Sequence, residues 1–134
     1  MNLKLITTLL IISGIFACTK QSKSSDSAEM YEPSELSNMM RDMVTWSKET
    51  KRLLLKGEVI NDVPKQFYEL ASQKATRDEH KDVAFQGMVP EYLEALKGID
   101  RKDSQQYYYD VSIQACKTCH AVYCGGPLSI INQL

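Results

Sequence analysis

The stretch IQACKTCHAVYCGG, residues 113–126, gathers three of the chain's four cysteines and one of its two histidines. No other feature narrows so far what the chain folds into. Cys116, Cys119, His120 and Cys124 suit a zinc site, a redox dithiol or the anchor of a covalent haem. Each demands a different surrounding fold.

Cys-x-x-Cys-His reads as a c-type haem attachment site. On a helix, positions i and i+3 share a face, so both sulfurs reach the two vinyl groups along one porphyrin edge. His120 stands one residue past Cys119 and four past Cys116, where its imidazole turns under the ring to the iron. A thioredoxin-like pair would instead follow a strand near the start of a βαβ unit, whereas this cluster ends a chain patterned for helix. A zinc set would take three ligands from one helix face, with Cys124 continuing it, and that poorly surrounds a tetrahedral ion. A plain structural disulfide is the remaining alternative.

The N-terminus sets the compartment. MNLK is a basic n-region, and LITTLLIISGIF is an apolar run of 12 residues, too short for a permanent span. Ala17-Cys18 and a polar continuation follow. This resembles the bacterial lipoprotein signal, which implies cleavage after residue 17 and lipid on Cys18. Residues 1–17 are then a signal peptide and 18–33 the lipidated cysteine with a serine-rich tether, its ends on the order of 20 Å apart as a coil. The chain is expected to be exported, on the periplasmic side of the membrane or at the cell surface, as an outer-membrane lipoprotein. Thioether attachment of haem also occurs outside the cytoplasm, so motif and address agree. Losing one lysine with the signal moves the net charge from -1 to about -2, which argues against a nucleic-acid partner.

Residues 34–134 are enough for one small domain with a modest core. Ser34 is the expected N-cap of a helix whose apolar positions Leu36, Met39 or Met40, Met43 and Leu53 or Leu54 recur every three to four residues; Gly57 ends it. A short second helix follows Pro64 through Phe67 and Leu70 to about Lys74. The third is expected from about Asp78 to Lys97, kinked or broken near Gly87 by Pro90. The fourth starts at Asp103, with Gln106 completing a capping box, and stops at Gly125-Gly126-Pro127. The apolar tail LSIINQL is expected to fold back onto the domain. No segment alternates with period two. The fold class is therefore all-α, an antiparallel four-helix bundle enclosing one covalently bound haem c.

Helix order, domain length and the position of CKTCH resemble the class II c-type cytochromes, the cytochrome c prime group, over roughly residues 34–124. The resemblance implies thioether anchors at Cys116 and Cys119, His120 as proximal iron ligand, and a distal residue supplied by the first helix. Where that residue is methionine, the iron is six-coordinate and the protein carries electrons. Where it is apolar, the iron is open and binds gases such as nitric oxide or carbon monoxide. Met40 is the expected distal ligand, with Met43 and Met39 as rivals; otherwise these residues fill core around the cofactor. His80, in a charged helix start, is expected at the surface. Trp46 and Tyr107–Tyr109 are expected to divide between core and surface.

One position departs from the family. Four residues past the histidine, where a basic residue is common, stands Cys124. Proximal-side gas chemistry that depends on such a charge is not expected here, and Cys124 is expected to be buried rather than joined to another chain. Nothing resembles an acid–base pair or an activated nucleophile. The chain thus reads as an electron carrier, not an enzyme, with redox proteins and the membrane as partners, and a homodimer through its first two helices is allowed. The alternatives are a gas-binding haem protein and a haem-free lipoprotein whose cysteines hold zinc or form disulfides.

Overall fold

The computed structural model describes residues 32–102 and 104–134, Glu79 by its backbone alone. The signal peptide, Cys18 and nearly all of the tether lie outside the described residues, as does Asp103. The described residues are all-helical, with four α-helices, two 3-10 turns and no strand. No described helix is long and apolar enough to cross a membrane.

Helix α1 spans Glu35–Leu54. Ser34 caps it as expected, its Oγ accepting the Ser37 N–H at 3.2 Å. Another free first-turn donor, the Leu36 N–H, reaches the Lys74 carbonyl at 3.0 Å. Glu35 returns the link by accepting the Lys74 N–H at 3.0 Å. Leu36, Met39, Met43, Ser47 and Thr50 form the buried stripe. At the other end Gly57 adopts φ 72°. The Gly57 N–H then donates to Leu54 at 2.9 Å and the Glu58 N–H to Leu53 at 3.0 Å. Those two bonds satisfy terminal carbonyls in the Schellman manner, which is the role expected of this glycine.

The second expected helix is not an α-helix. Lys65–Glu69 form a single 3-10 turn after Pro64. Phe67 and Leu70, both buried, lie three apart, and in a 3-10 turn such residues eclipse onto one side. So short a segment gains little from propagating a helix once the costly first turn is made. The connection is pinned instead by helix α2, Val83–Asp100: the Asp100 carboxylate accepts the Val63 N–H at 3.0 Å and the Tyr68 hydroxyl at 2.6 Å.

The third expected helix starts later than Asp78. Asp78–Lys81 is a 3-10 turn, after which extended Asp82 caps α2 by accepting the Phe85 N–H at 2.9 Å. Pro90 does not break α2. The carbonyl it leaves without a donor belongs to Gln86, which is exposed like Pro90 itself, so the loss falls where solvent has access.

Helix α3 runs Gln105–Tyr123. The capping box expected at its start rests on Asp103, outside the described residues, and Gln106 binds Asp110 at 2.9 Å. The neighbouring Gln105 ties the helix in. It accepts the Ile60 N–H at 2.9 Å and donates to the Ile60 and Ile99 carbonyls at 2.8 Å.

Helices α2 and α3 make the longest interface among the described residues and run antiparallel. A Cβ on Gly98 would stand 2.2 Å from the Tyr108 ring, so glycine is what lets the helices approach. Gly98→Ala is expected to cost roughly 1–3 kcal/mol, as overpacking does. In a Tyr108→Ala background the same change should turn stabilising by up to about 1 kcal/mol, because alanine outranks glycine in a helix. Urea unfolding of the four chains reads the coupling.

The tail folds back as expected. Helix α4, Leu128–Ile131, buries Ile131. The buried Tyr109 hydroxyl sits 3.2 Å from the Ser47 carbonyl and 3.1 Å from that of Leu134, while Lys51 Nζ donates to Gln133 at 2.9 Å.

Candidate functional site

The inward face of α3 near its C-terminus carries Ala115, Cys116, Cys119 and His120. Two hydroxyls on this helix bond back to its own carbonyls, Ser112 to Tyr109 at 2.7 Å and Thr118 to Gln114 at 3.0 Å. His120 is 8% exposed, and both cysteines are half-buried. The chain leaves the helix at Cys124, which is extended at φ −158°. The end of α3 is fastened to the start of α2 by the Tyr123 hydroxyl, which donates to the Asp82 carboxylate, and by an edge-on contact of Tyr123 with Phe85 at 6.1 Å.

A cavity of about 50 Å³ opens on this face, lined by Met40 and Met43 of α1, Leu70, Phe85, Met88, Val89 and Tyr92 of α2, and Ala115, Cys116, Cys119 and His120. It is small and almost wholly apolar. No fully buried side-chain nitrogen or oxygen among the described residues lacks a hydrogen-bond partner; His120 Nε2 and the Tyr92 hydroxyl, which bond to no described residue, are therefore reached by solvent.

His120 Nδ1 lies 3.2 Å from the Cys124 carbonyl oxygen and 3.2 Å from Cys124 Sγ. A ring nitrogen facing a carbonyl must carry the proton, so Nδ1–H donates and Nε2 keeps its lone pair. Burial holds the imidazole below its ordinary pKa, with the Cys124 carbonyl opposing in part. The ring is therefore neutral at pH 7, with its free nitrogen available to a metal.

The thiols point away from redox chemistry of their own. Burial, then the neighbouring Cys119, pushes Cys116 up to about 12. Cys119 is raised by burial and then by Cys124. A reactive Cys-x-x-Cys pair needs a lowered pKa instead. Inside a helix, residues three apart also keep their Cβ atoms about 5–6 Å apart, beyond the roughly 3.5–4.5 Å a disulfide takes. No group of three His, Cys, Asp or Glu side chains assembles as a metal ion would require among the described residues, so Cys124 does not complete a zinc set.

The other expected residues divide. Met40 and Met43 line the cavity; Met39 is buried but does not. His80 is half-buried on the 3-10 turn and lies away from the cavity. Of the aromatic residues, Tyr109 is core, Tyr107 is exposed, and Trp46 packs edge-on against Phe67 at 5.8 Å; none of them lines the cavity. Cys124 is exposed, not buried, because the helix ends there and the glycines carry the chain outward. Met88 and Tyr92 were legible only as apolar positions of their helix. Their place on the wall depends on how α2 turns against α3.

No family model matches the chain, and no curated protein or solved structure matches it either. Of the helix order expected from the sequence, the first, third and fourth helices are long α-helices and the second is only a 3-10 turn.

Proposed function

We propose that the chain is a monohaem c-type cytochrome lipoprotein that carries single electrons. Cys116 and Cys119 would hold the haem by thioether bonds, and His120 would be its proximal ligand. The observation that carries this reading is the shared cavity: both thiols and a neutral, otherwise unpartnered His120 Nε2 line the same apolar wall as Met40 and Met43. The donors fit the group in type and in spacing along α3. The volume fits only if the walls part, since about 50 Å³ is far below the roughly 300–1,000 Å³ of ordinary small-molecule pockets. The methionines suit such a movement, being unbranched and adaptable. The completed architecture would be a helical bundle enclosing the haem.

Bound there, haem would supply a one-electron iron couple whose potential is set by axial ligand and burial. The chain's own part is to exclude water with Leu70, Phe85 and Val89, to hold the His120 tautomer through the Cys124 carbonyl, and to offer a thioether from α1. Export, lipid on Cys18, redox protein partners and a site at the outer membrane complete the proposal, supported by the N-terminal signal.

The test is the ferrous visible spectrum with and without carbon monoxide. The wild-type chain is expected to be low-spin and indifferent to the gas. Met40→Leu should turn high-spin and bind it, while Met43→Leu should not. Carbon monoxide binding by the wild type would mean an open iron and a gas-binding protein.

A further inference from the structure

Six residues with sulfur or imidazole side chains line one small cavity: Met40, Met43, Met88, Cys116, Cys119 and His120. We propose that the chain without haem binds one copper(I) ion in this cavity. This concerns the chain before haem is attached, and the two groups would compete for the same wall.

The choice of ion follows from the donors. The His and Cys side chains do not assemble a three-ligand set by themselves among the described residues, so an ion with three or more ligands here would draw on methionine sulfur. Thioethers are soft ligands that copper(I) accepts and that zinc, calcium and magnesium pass over for harder donors. Charge permits this ion. With one thiolate, a monovalent ion leaves no net charge in this nearly apolar cavity, so the site carries no buried charge that needs a further partner. His120 is 8% exposed; its Nδ1 is held by the Cys124 carbonyl, which leaves Nε2, open to solvent through the cavity mouth, free to take an ion. The cavity, too tight for a porphyrin as it stands, has room for a single ion. On binding, any thiol that coordinates gives its proton to solvent; copper remains in the +1 state and no electron moves. Haem attachment would consume both thiols and close the site.

The experiment is copper(I) titration under ascorbate, against a chromophoric copper(I) chelator, of the full chain made without haem attachment. Cys18→Ser and Cys124→Ser remove the other thiols. One copper(I) per chain is expected, with zinc(II) unable to displace it and with shifts of the labelled methyl groups of Met40, Met43 and Met88. The triple variant Met40→Leu/Met43→Leu/Met88→Leu keeps core volume and should weaken binding by at least roughly tenfold, since even outer-shell partners of a metal cost about 10–100-fold when removed. Unmoved methionine methyls, unchanged affinity in the triple variant, or equal binding of zinc would overturn the proposal. The methyl shifts need no variant, so a poorly folded triple mutant does not blunt the test. Chain from a haem-attaching host separates the two readings: copper uptake is lost there if haem is on the thiols, and persists if the haem reading fails.

Discussion

Cys116→Ala/Cys119→Ala is expected to emerge from a haem-attaching host without covalent haem, whatever its yield. Each thioether needs one of these sulfurs, and no other cysteine among the described residues shares their helix face: Cys124 lies beyond the end of α3 and is exposed. Each single variant keeps one anchor and should retain haem in reduced amount. His120→Ala leaves both sulfurs and should retain covalent haem with an altered spectrum, because it removes a ligand and not an attachment. The high pKa of the buried Cys116 thiol, about 12, adds a condition. Such a thiol resists spontaneous attack as a thiolate, so attachment is expected only where dedicated machinery acts, before the wall has closed. Haem staining on a denaturing gel reads all four chains. Haem retained by the double variant would show that the anchors are elsewhere.

The second large effect is on stability. Phe67→Ala should cost about 3–5 kcal/mol. Phe67 is 1% exposed, sits on the 3-10 turn that replaces the second expected helix, and meets the chain's single tryptophan edge-on. Beyond the apolar area lost, the change leaves Trp46 without its aromatic neighbour, worth roughly 0.5–1.5 kcal/mol more than area alone. A small domain has only about 5–15 kcal/mol in total, so the shift takes a large share. Trp46 fluorescence during urea unfolding provides the probe. A loss below about 1 kcal/mol would mean that the 3-10 segment is dispensable to the core.

Much of the first helix could be read directly. Ser34 had a capping side chain, Leu36, Met39 and Met43 kept helical period, and Gly57 supplied the positive φ that ends the element. The segment after Pro64 could not, because Phe67 and Leu70 three apart satisfy α and 3-10 spacing alike, and only tertiary ties at Asp100 and Lys74 decide between them. The start of α2 was misplaced for a related reason. Asp78 and Asp82 are both plausible caps, and it is Asp82 that the Tyr123 hydroxyl also engages. Gln105 gave no signal at all, since its three hydrogen bonds reach residues far away or across a turn. For the site, the motif named Cys116, Cys119 and His120, and the α1 methionines followed from sharing a face. Met88, Tyr92 and the exposure of Cys124 depend on packing angles and on where a helix stops, neither of which local pattern carries.

The claim on which the account depends is that Cys116 and Cys119 carry haem. Intact-mass spectrometry of the denatured, purified chain from a host that matures other c-type cytochromes tests it directly. The expected mass is that of the polypeptide plus one haem, lost in Cys116→Ala/Cys119→Ala. The mass of the polypeptide alone, with a control cytochrome loaded in the same cells, would contradict it.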